Sequence, residues 1–234
     1  MPRFPKHQTL LIDADDTLWE NNIYFERAIA AFAGFLDHKE HSPDEVRQTL
    51  NAVERETILS HGYGLSSFTH ALVTCFERLS FAPVTEEKRE RVRSFARTIA
   101  EQEIELLPGV AETLAELATR HHLILMTKGN QAEQADKLAR SGLAQHFNAV
   151  EIVAEKDPRT YREVIARHEL SPHTSWMIGN SPKSDINPAL AAGLHAVYLF
   201  HPDTWVLEHA EISVAPEGQQ LIELDGFAKL VEFF

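Results

Sequence analysis

An α/β fold, in which a parallel sheet carries helices on both faces and contains an all-helical insertion, is the architecture that the sequence predicts. Short apolar segments alternate with helical segments from residue 106 to the end of the chain. This pattern is typical of parallel strands joined by right-handed helical crossovers. Residues 21–105 instead have helical periodicity. Because one strand precedes this helical stretch, we interpret the stretch as an insertion into the α/β domain.

The elements of the α/β region follow from apolar runs and their boundaries. Thr9 to Ile12 is a short apolar run, as expected of a strand buried on both faces. Ser141-Gly142 is typical of a helix C-terminus. Further strands are predicted at residues 123–126, 150–153, 176–178 and 196–199, and helices at 110–120, 131–140, 159–168, 185–192 and 226–234.

The helical stretch contains its own boundary signals. Ser42, Pro43 and Glu45 supply an N-cap, a first-turn proline and a capping-box glutamate. The segment 62–64, Gly-Tyr-Gly, interrupts the helical pattern. The domain prediction is therefore an α/β catalytic core formed by residues 1–20 and 106–234, with a helical domain over residues 21–105.

Bulk composition limits the possible partners and the compartment. The chain has 234 residues and a formal net charge of -13, so we expect neither nucleic acid nor an anionic membrane as a partner. Cys75 is the only cysteine in the sequence, which excludes an intrachain disulfide and disfavours a cysteine-based zinc site. No apolar run approaches the roughly 20 residues of a spanning helix. We expect a reduced, cytoplasmic compartment, and the sequence leaves the oligomeric state open.

Polar residues follow the predicted strands at the edge where parallel strands end. Asp13 and Asp15 follow the first strand, Thr127 the second and Lys156 the third, and Asp185 comes shortly after the fourth. The cleft of an open parallel sheet lies beyond these carboxyl ends, so the side chains should converge. Converging carboxylates repel one another unless a cation lies between them. Hard oxygen ligands favour Mg2+.

The chain resembles the haloacid dehalogenase (HAD) superfamily in four motifs that occur in the same order at strand ends. Residues 13–17, Asp-Ala-Asp-Asp-Thr, are similar to the Asp-x-Asp-x-Thr of the first motif. Thr127 matches the second motif, Lys156 the third and residues 179–185 the fourth. The helical stretch lies between the first two motifs, as a helical cap does in the phosphatase branch. The resemblance implies a Rossmann-like core, a small-molecule phosphate ester as substrate and Mg2+ as cofactor.

Each motif residue has a chemical role in this interpretation. A carboxylate nucleophile splits one displacement at phosphorus into two easier ones, and we assign this role to Asp13. Asp15 would protonate the leaving oxygen and then deprotonate the attacking water, and the resemblance implies that its backbone carbonyl faces the metal. Thr127 and Lys156 would bind the phosphoryl group, and Lys156 would also hold Asp13 charged. The expected metal ligands are Asp13, Asp15, Asn180 and Asp185.

Three positions depart from the motifs or leave a choice. Lys128 is a further candidate for phosphate binding, but the resemblance implies backbone amides there, and we expect its side chain at the surface. Asn180 stands where the fourth motif commonly has aspartate, so one negative charge is lost and Mg2+ affinity should fall. Asp157 separates Lys156 from Pro158, whereas the third motif usually has the proline directly after the lysine. The loop at Asp157 is therefore expected to run differently.

Residues of the helical stretch are candidates for substrate selection. Asn21, Asn22 and Tyr24 directly follow the first motif and are candidates for a hinge and entrance. Residues 61–66 could form a substrate-reading loop, although an ordinary turn between helices is the favoured interpretation. The thirteen histidines are scattered, and none, His201 included, has metal-site spacing with a partner.

Other functions share this framework. A dehalogenase would use the same nucleophile, but dehalogenases lack the second aspartate and the metal cluster, so Asp15 and Asp185 argue against it. A phosphomutase differs only in the phosphoryl acceptor and stays open. A phosphonate-cleaving relative needs a Schiff-base lysine, for which Lys39 is a candidate without the apolar flank that would lower its pKa. The retained motif residues disfavour a non-catalytic HAD-like binding module. The sequence does not identify the ester.

Overall fold

The chain forms two compact units. The computed structural model describes residues 3–36, 41–81 and 83–234, so Lys39 lies outside the described residues. Met1–Glu20 and Ile104–Phe234 form an α/β unit, and Asn21–Glu103 form a helical unit. Each unit has its own buried hydrophobic core. The polypeptide therefore leaves the α/β unit once, after the first strand, and returns to it once.

Strands and helices alternate through the second part of the α/β unit, as the apolar pattern predicts. The strands of the described residues are β1 (Thr9–Ile12), β2 (His122–Lys128), β3 (Ala149–Val153), β4 (Ser175–Gly179), β5 (His195–Leu199) and β6 (Leu221–Leu224). The α-helices are α1 (Asn22–Phe35), α2 (Pro43–His61), α3 (Leu65–Leu79), α4 (Glu86–Ala100), α5 (Val110–Ala118), α6 (Gln131–Ser141), α7 (Pro158–Arg167) and α8 (Asn187–Ala191). A π-turn covers Pro182–Ile186, and 3₁₀ turns cover Ala144–His146, Pro172–Thr174, Val206–Glu208 and Phe227–Glu232.

The strands form one parallel sheet in the order β3-β2-β1-β4-β5-β6. β1 pairs with both β2 and β4, so that Ile12 lies opposite Leu125 on one side and Ile178 on the other. The chain order reverses between β1 and β4, which opens a crevice beyond their carboxyl ends. The predicted α/β fold with a helical insertion is confirmed.

Alternate residues of the central strands pack on opposite faces of the sheet. Leu10 and Ile12 of β1 belong to a core that includes Leu114 of α5. Leu11, between them, belongs to a second core with Tyr161 of α7. All five side chains are fully buried. Because both faces are covered, the central strands are continuous apolar runs instead of alternating ones.

The helical unit is built from α1 to α4 around its own core. The predicted capping box is present: the Ser42 hydroxyl accepts from the Glu45 N–H, and the Glu45 carboxylate accepts from the Ser42 N–H at 2.8 Å. Gly62 and Gly64 have positive φ angles of 73° and 127° in the turn between α2 and α3. Cys75 lies in the core, where burial raises the pKa of its thiol to about 12.

No helix among the described residues has both the length and the apolar character needed to cross a membrane.

Two segments of the α/β unit differ from the sequence prediction. The closing segment forms the 3₁₀ turn Phe227–Glu232 instead of an α-helix. Phe227 and Leu230 are both buried, and a spacing of three residues places side chains on one side of a 3₁₀ turn. β6 was not predicted, because an edge strand of four residues that includes Glu223 carries too short an apolar pattern.

Substitutions at two leucines of α2 should separate core packing from helix propensity. Leu50 is fully buried and Leu59 is 89% exposed. Leu50→Ala should lower the free energy of unfolding of the helical unit by about 2–5 kcal/mol, because a buried cavity is left. Leu59→Ala should change it by less than about 0.5 kcal/mol. Denaturant unfolding followed by circular dichroism measures both values, and equal effects would contradict the assignment of this core.

Candidate active site

The motif residues predicted from the sequence lie at or just after the carboxyl ends of four strands, at one edge of the sheet. Asp13 directly follows β1, and Thr127 is the second-last residue of β2. Lys156 follows β3, and the loop from Asn180 to Asp185 follows β4. Parallel pairing therefore brings these segments to the same edge, and the bonds between their side chains identify the groups that meet.

Lys156 joins the loops that follow three different strands. Its Nζ donates to Asp13 Oδ1 at 2.5 Å and to Asp185 Oδ1 at 2.7 Å. The side chains of Lys156 and Asp185 are 1% exposed, and that of Asp13 is 10% exposed. The site thus contains two buried carboxylates that share one buried ammonium group.

The residue inserted after Lys156 is accommodated as a helix cap. Asp157 is the N-cap of α7, and its carboxylate accepts from the Thr160 N–H at 2.7 Å. Pro158 is the first residue of the helix, a position where its missing N–H leaves no bond unmade. The altered spacing in this motif therefore begins a helix and leaves the lysine side chain directed at Asp13.

Burial and like charge control protonation within this cluster. Burial raises the pKa of Asp13 to about 7, and repulsion from Asp185 adds to the rise that Lys156 opposes. Burial alone would lower the pKa of Lys156, but Asp13 and Asp185 outweigh it and hold that pKa above its usual value. Lys156 therefore acts in the predicted direction on Asp13 without fully offsetting its surroundings. Another cation would lower the pKa of Asp13 further.

Asp185 is held against the last residue of β4. The π-turn Pro182–Ile186 brings its carboxylate back over Gly179, where an added Cβ would lie 2.2 Å from Asp185 Oδ2. The same oxygen accepts from the Ser181 N–H at 2.9 Å. Only glycine at position 179 leaves space for the carboxylate in this place.

Asn180 is oriented by two hydroxyl groups. Its Nδ2 donates to Thr204 Oγ1 at 3.0 Å, and that hydroxyl donates in turn to the His201 carbonyl. The Thr17 hydroxyl lies 3.0 Å from Asp13 Oδ2 and 3.3 Å from Asn180 Oδ1 and can donate to either. The amide oxygen of Asn180 therefore lies on the side of Thr17 and Asp13.

Asp15 is bonded to a different set of side chains. Its Oδ1 accepts from Trp19 Nε1 at 2.8 Å, and its Oδ2 accepts from Gln134 Nε2 at 2.8 Å. Lys137 Nζ lies 2.9 Å from the first oxygen and 3.1 Å from the second. Burial alone would raise the pKa of Asp15, but Lys137 and the other donors hold it below its usual value. Gln134 and Lys137 belong to no motif, so the sequence analysis missed them.

Lys128 is not the surface residue that the sequence analysis expected. Its side chain is 13% exposed, and Nζ donates to Glu208 Oε1 at 2.6 Å and to Ser184 Oγ at 2.7 Å. Ser181 Oγ donates to the other oxygen of Glu208 at 2.6 Å. Burial alone would raise the pKa of Glu208, but Lys128 and the hydroxyls keep it lowered. Lys128 therefore joins the end of β2 to the loop after β4 and to the turn that contains Glu208.

Glu208 was also missed by the sequence analysis. It lies in the 3₁₀ turn Val206–Glu208, far along the chain from the four motifs, yet it is 7% exposed. The segment around it has no strand or helix periodicity that would indicate burial.

Thr127, which the sequence analysis did predict as a site residue, is buried with 2% exposure at the carboxyl end of β2.

His201 has acidic neighbours, contrary to the sequence expectation. Candidate ligand atoms of Asp16, Glu20 and His201 all lie within 4.8 Å of one another. His201 Nδ1 accepts from the Asp203 N–H at 3.3 Å, which favours the tautomer with a proton on Nε2. Nε2 lies 3.4 Å from Glu20 Oε2. Asp16, Glu20 and His201 therefore form a small cluster of candidate ligand groups near the first motif.

Comparison with known proteins identifies the family. A family model for haloacid dehalogenase-like hydrolases matches residues 7–193, which is more than half of the chain. The chain belongs to this family. The superfamily predicted from the four motifs is thereby confirmed, together with the hydrolase class.

Individual members of the HAD-like hydrolase family extend this result. A solved HAD-like family hydrolase from Xanthomonas campestris is 30% identical to this chain, with a TM-score of 0.80. The match covers 98% of this chain and 92% of the Xanthomonas chain. The 2-haloacid dehalogenase of Pseudomonas syringae pv. tomato is 20% identical with a TM-score of 0.61, over 97% of each chain. At that identity the likeness shows the fold alone.

A curated relative is a phosphoserine phosphatase of Thermus thermophilus. It is 32% identical over 120 residues, which are 49% of this chain and 47% of that protein. The chain therefore spans about half the length of the curated relative that it matches.

Replacing Lys156 should expose the cost of the two buried carboxylates. Lys156→Met should lower the free energy of unfolding of the α/β unit by about 3–5 kcal/mol near neutral pH, because it leaves buried charge without a partner. Lys229→Met is the control, since Lys229 is 50% exposed and pairs with Asp225 at the surface, so it should leave the free energy of unfolding nearly unchanged. Urea unfolding without divalent metal measures both, and similar losses would contradict the electrostatic account.

Proposed function

We propose that the protein is a magnesium-dependent phosphatase that hydrolyses a small phosphate monoester through an aspartyl-phosphate intermediate. The observation that carries this proposal is the bonding of Lys156 to Asp13 and Asp185 at the carboxyl edge of the sheet. In this proposal the α/β unit is the catalytic core, and the helical unit is a cap that selects the substrate. The phosphatase activity of the Thermus relative supports the substrate class.

The donor set fits a divalent metal. Asp13, Asp185 and the Asn180 amide supply hard oxygen atoms, and the Asp15 backbone carbonyl is the fourth proposed ligand. Burial and repulsion within the carboxylate pair raise the pKa of Asp13 to about 7 despite Lys156, which indicates that the cluster accommodates more positive charge. Bound Mg2+ would neutralise charge shared between the nucleophile and the phosphoryl group.

The first half of the reaction joins Asp13 to phosphorus. An oxygen of Asp13 attacks the phosphorus, and the bond to the ester oxygen breaks. Asp15 gives its proton to the departing oxygen, so an alcohol leaves instead of an alkoxide. Lys156 and Thr127 bind the phosphoryl oxygens during the transfer, with Lys156 already placed beside the nucleophile.

The second half regenerates the enzyme. Asp15, now ionised, removes a proton from a water molecule that attacks the phosphorus. The bond between phosphorus and Asp13 breaks, and inorganic phosphate is released. The lowered pKa of Asp15, which Lys137 and its other donors maintain against burial, suits the release of a proton, and the proton that Asp15 takes from water in this half is the one that it donates in the next cycle.

Asp13→Asn should abolish turnover while the protein stays folded. Loss of the nucleophilic oxygen should lower kcat on p-nitrophenyl phosphate by more than about 1000-fold in the presence of Mg2+. Asp225→Asn is the control, because Asp225 is 72% exposed and remote in sequence from the motifs. Activity with Mg2+ and with chelator, alongside circular dichroism, checks the result. Substantial turnover by Asp13→Asn would reject the covalent mechanism.

Asn180→Asp should tighten Mg2+ binding by restoring a carboxylate. The half-saturating Mg2+ concentration should fall roughly tenfold, within the range seen when groups around a metal are changed. Asn148→Asp makes the same charge change before β3, where Asn148 Oδ1 accepts from the Leu123 N–H. A magnesium titration of both variants separates local from general charge effects, and an unchanged titration in Asn180→Asp would remove Asn180 from the ligand set.

A further inference from the structure

Lys128 and Glu208 form a buried ion pair that takes no part in the proposed reaction. Their side chains are 13% and 9% exposed, and Lys128 Nζ lies 2.6 Å from Glu208 Oε1. Taking two charges out of water costs free energy, which their attraction repays only if further hydrogen bonds satisfy the remaining polar atoms. The other hydrogen bonds of the pair therefore indicate what the pair does.

Both members of the pair are bonded to serines of the loop after β4. Lys128 Nζ donates to Ser184 Oγ at 2.7 Å, and Ser181 Oγ donates to Glu208 Oε2 at 2.6 Å. The Ser181 hydroxyl also accepts from the Ser184 N–H at 2.9 Å. Ser181 and Ser184 are 4% and 2% exposed. The ion pair and the two serines thus form one connected set of buried contacts.

Ser181 joins this set of contacts to Asp185. Its N–H donates to Asp185 Oδ2 at 2.9 Å, and its carbonyl accepts from the Asp185 N–H at 2.9 Å. The other oxygen of Asp185, Oδ1, is bonded to Lys156. The place of the Asp185 carboxylate therefore depends on the backbone of Ser181, and Glu208 holds the hydroxyl of that same serine.

Glu208 belongs to a loop that none of the four motifs includes. Residues 200–209 follow β5 and lie beyond residues 7–193, which the family model matches. The same loop supplies the Thr204 hydroxyl that accepts from Asn180 Nδ2 at 3.0 Å. The loop after β5 thus contacts the fourth motif at its amide as well as at its serines.

We infer that the Lys128–Glu208 pair positions Asp185 for a divalent metal, and that it acts through the two serines of the loop after β4. This inference rests on the proposed function, in which Asp185 is a metal ligand. Groups that orient a metal ligand commonly raise metal affinity by roughly 10- to 100-fold. Without the pair, the Asp185 carboxylate keeps its charge but loses part of what fixes its place, so Mg2+ should bind more weakly.

The test replaces the whole pair and measures Mg2+ binding directly. Lys128→Met combined with Glu208→Leu leaves the net charge unchanged and leaves neither member of the pair as an unpaired buried charge, so the fold should be retained. Calorimetric titration with Mg2+ alone should show binding at least about tenfold weaker than in the wild type. Asp225→Asn combined with Lys229→Met is the matched control, because it removes a surface pair of the same unit without changing the net charge. The control should stay within about twofold of the wild type.

Further variants test the route through the serines. Ser181→Ala alone, which leaves the ion pair in place, should also weaken Mg2+ binding. In a background with both Ser181→Ala and Ser184→Ala, replacing the pair should change Mg2+ affinity by less than about twofold, because the hydroxyls that it holds are gone.

The outcomes separate this inference from the proposed function. Unchanged Mg2+ affinity after replacement of the pair, or an undiminished effect in the background without the serine hydroxyls, would overturn the inference alone. A raised KM for p-nitrophenyl phosphate with unchanged Mg2+ affinity would also overturn it, since Lys128 would then be a substrate ligand. Wild-type protein that binds no Mg2+ would reject the proposed function, and the inference with it.

Discussion

The arrangement of the candidate site depends on the ion pairs that one buried ammonium group, Nζ of Lys156, makes with two carboxylates. This ammonium group is bonded to carboxylates from the loops after β1 and β4 while its own residue follows β3. Three connections that are far apart in the chain are thus held in one place by charge. The parallel sheet makes this possible, because its register brings the ends of these strands to a common edge.

The surroundings of the two aspartates of the first motif act in opposite directions. Burial and a like charge raise the pKa of Asp13, whereas a lysine and two other donors lower the pKa of Asp15. The same short motif therefore contains one carboxyl group that holds its proton more tightly than usual and one that releases it more readily. The rise at Asp13 comes first from burial and then from Asp185 in the loop after β4, whereas donors on α6 lower the pKa of Asp15.

Local sequence signals were sufficient for most of the fold. The segments that form β1, β2 and β4 are apolar because both faces of the sheet are covered. Such continuous apolar segments can be recognised in the sequence alone. The capping box at Ser42 and Glu45 marked the start of α2 correctly. The edge strand β6 escaped because a short, half-exposed strand leaves almost no periodicity.

From the sequence, the candidate site could be predicted only at positions where a polar or charged residue follows a strand and also matches a family motif. Asp13, Lys156 and Asp185 were predicted to lie together because each follows a strand of the parallel sheet and matches a motif of the family. Gln134, Lys137 and Glu208 were missed because they reach the motif segments through tertiary contacts that have no fixed spacing along the chain. Lys128 was placed at the surface because nothing in the local sequence indicated the carboxylate that buries it.

The lone thiol of the helical unit has a practical consequence. Cys75 is fully buried, and burial holds the pKa of its thiol at about 12, so almost no thiolate is present near neutrality. Since the thiolate is the reactive form, alkylating reagents and mild oxidants should react only slowly with Cys75 in the folded protein. A maleimide dye would accordingly label the chain only when α3 separates from its neighbours. The rate of labelling at Cys75 would therefore report local unfolding of the helical unit.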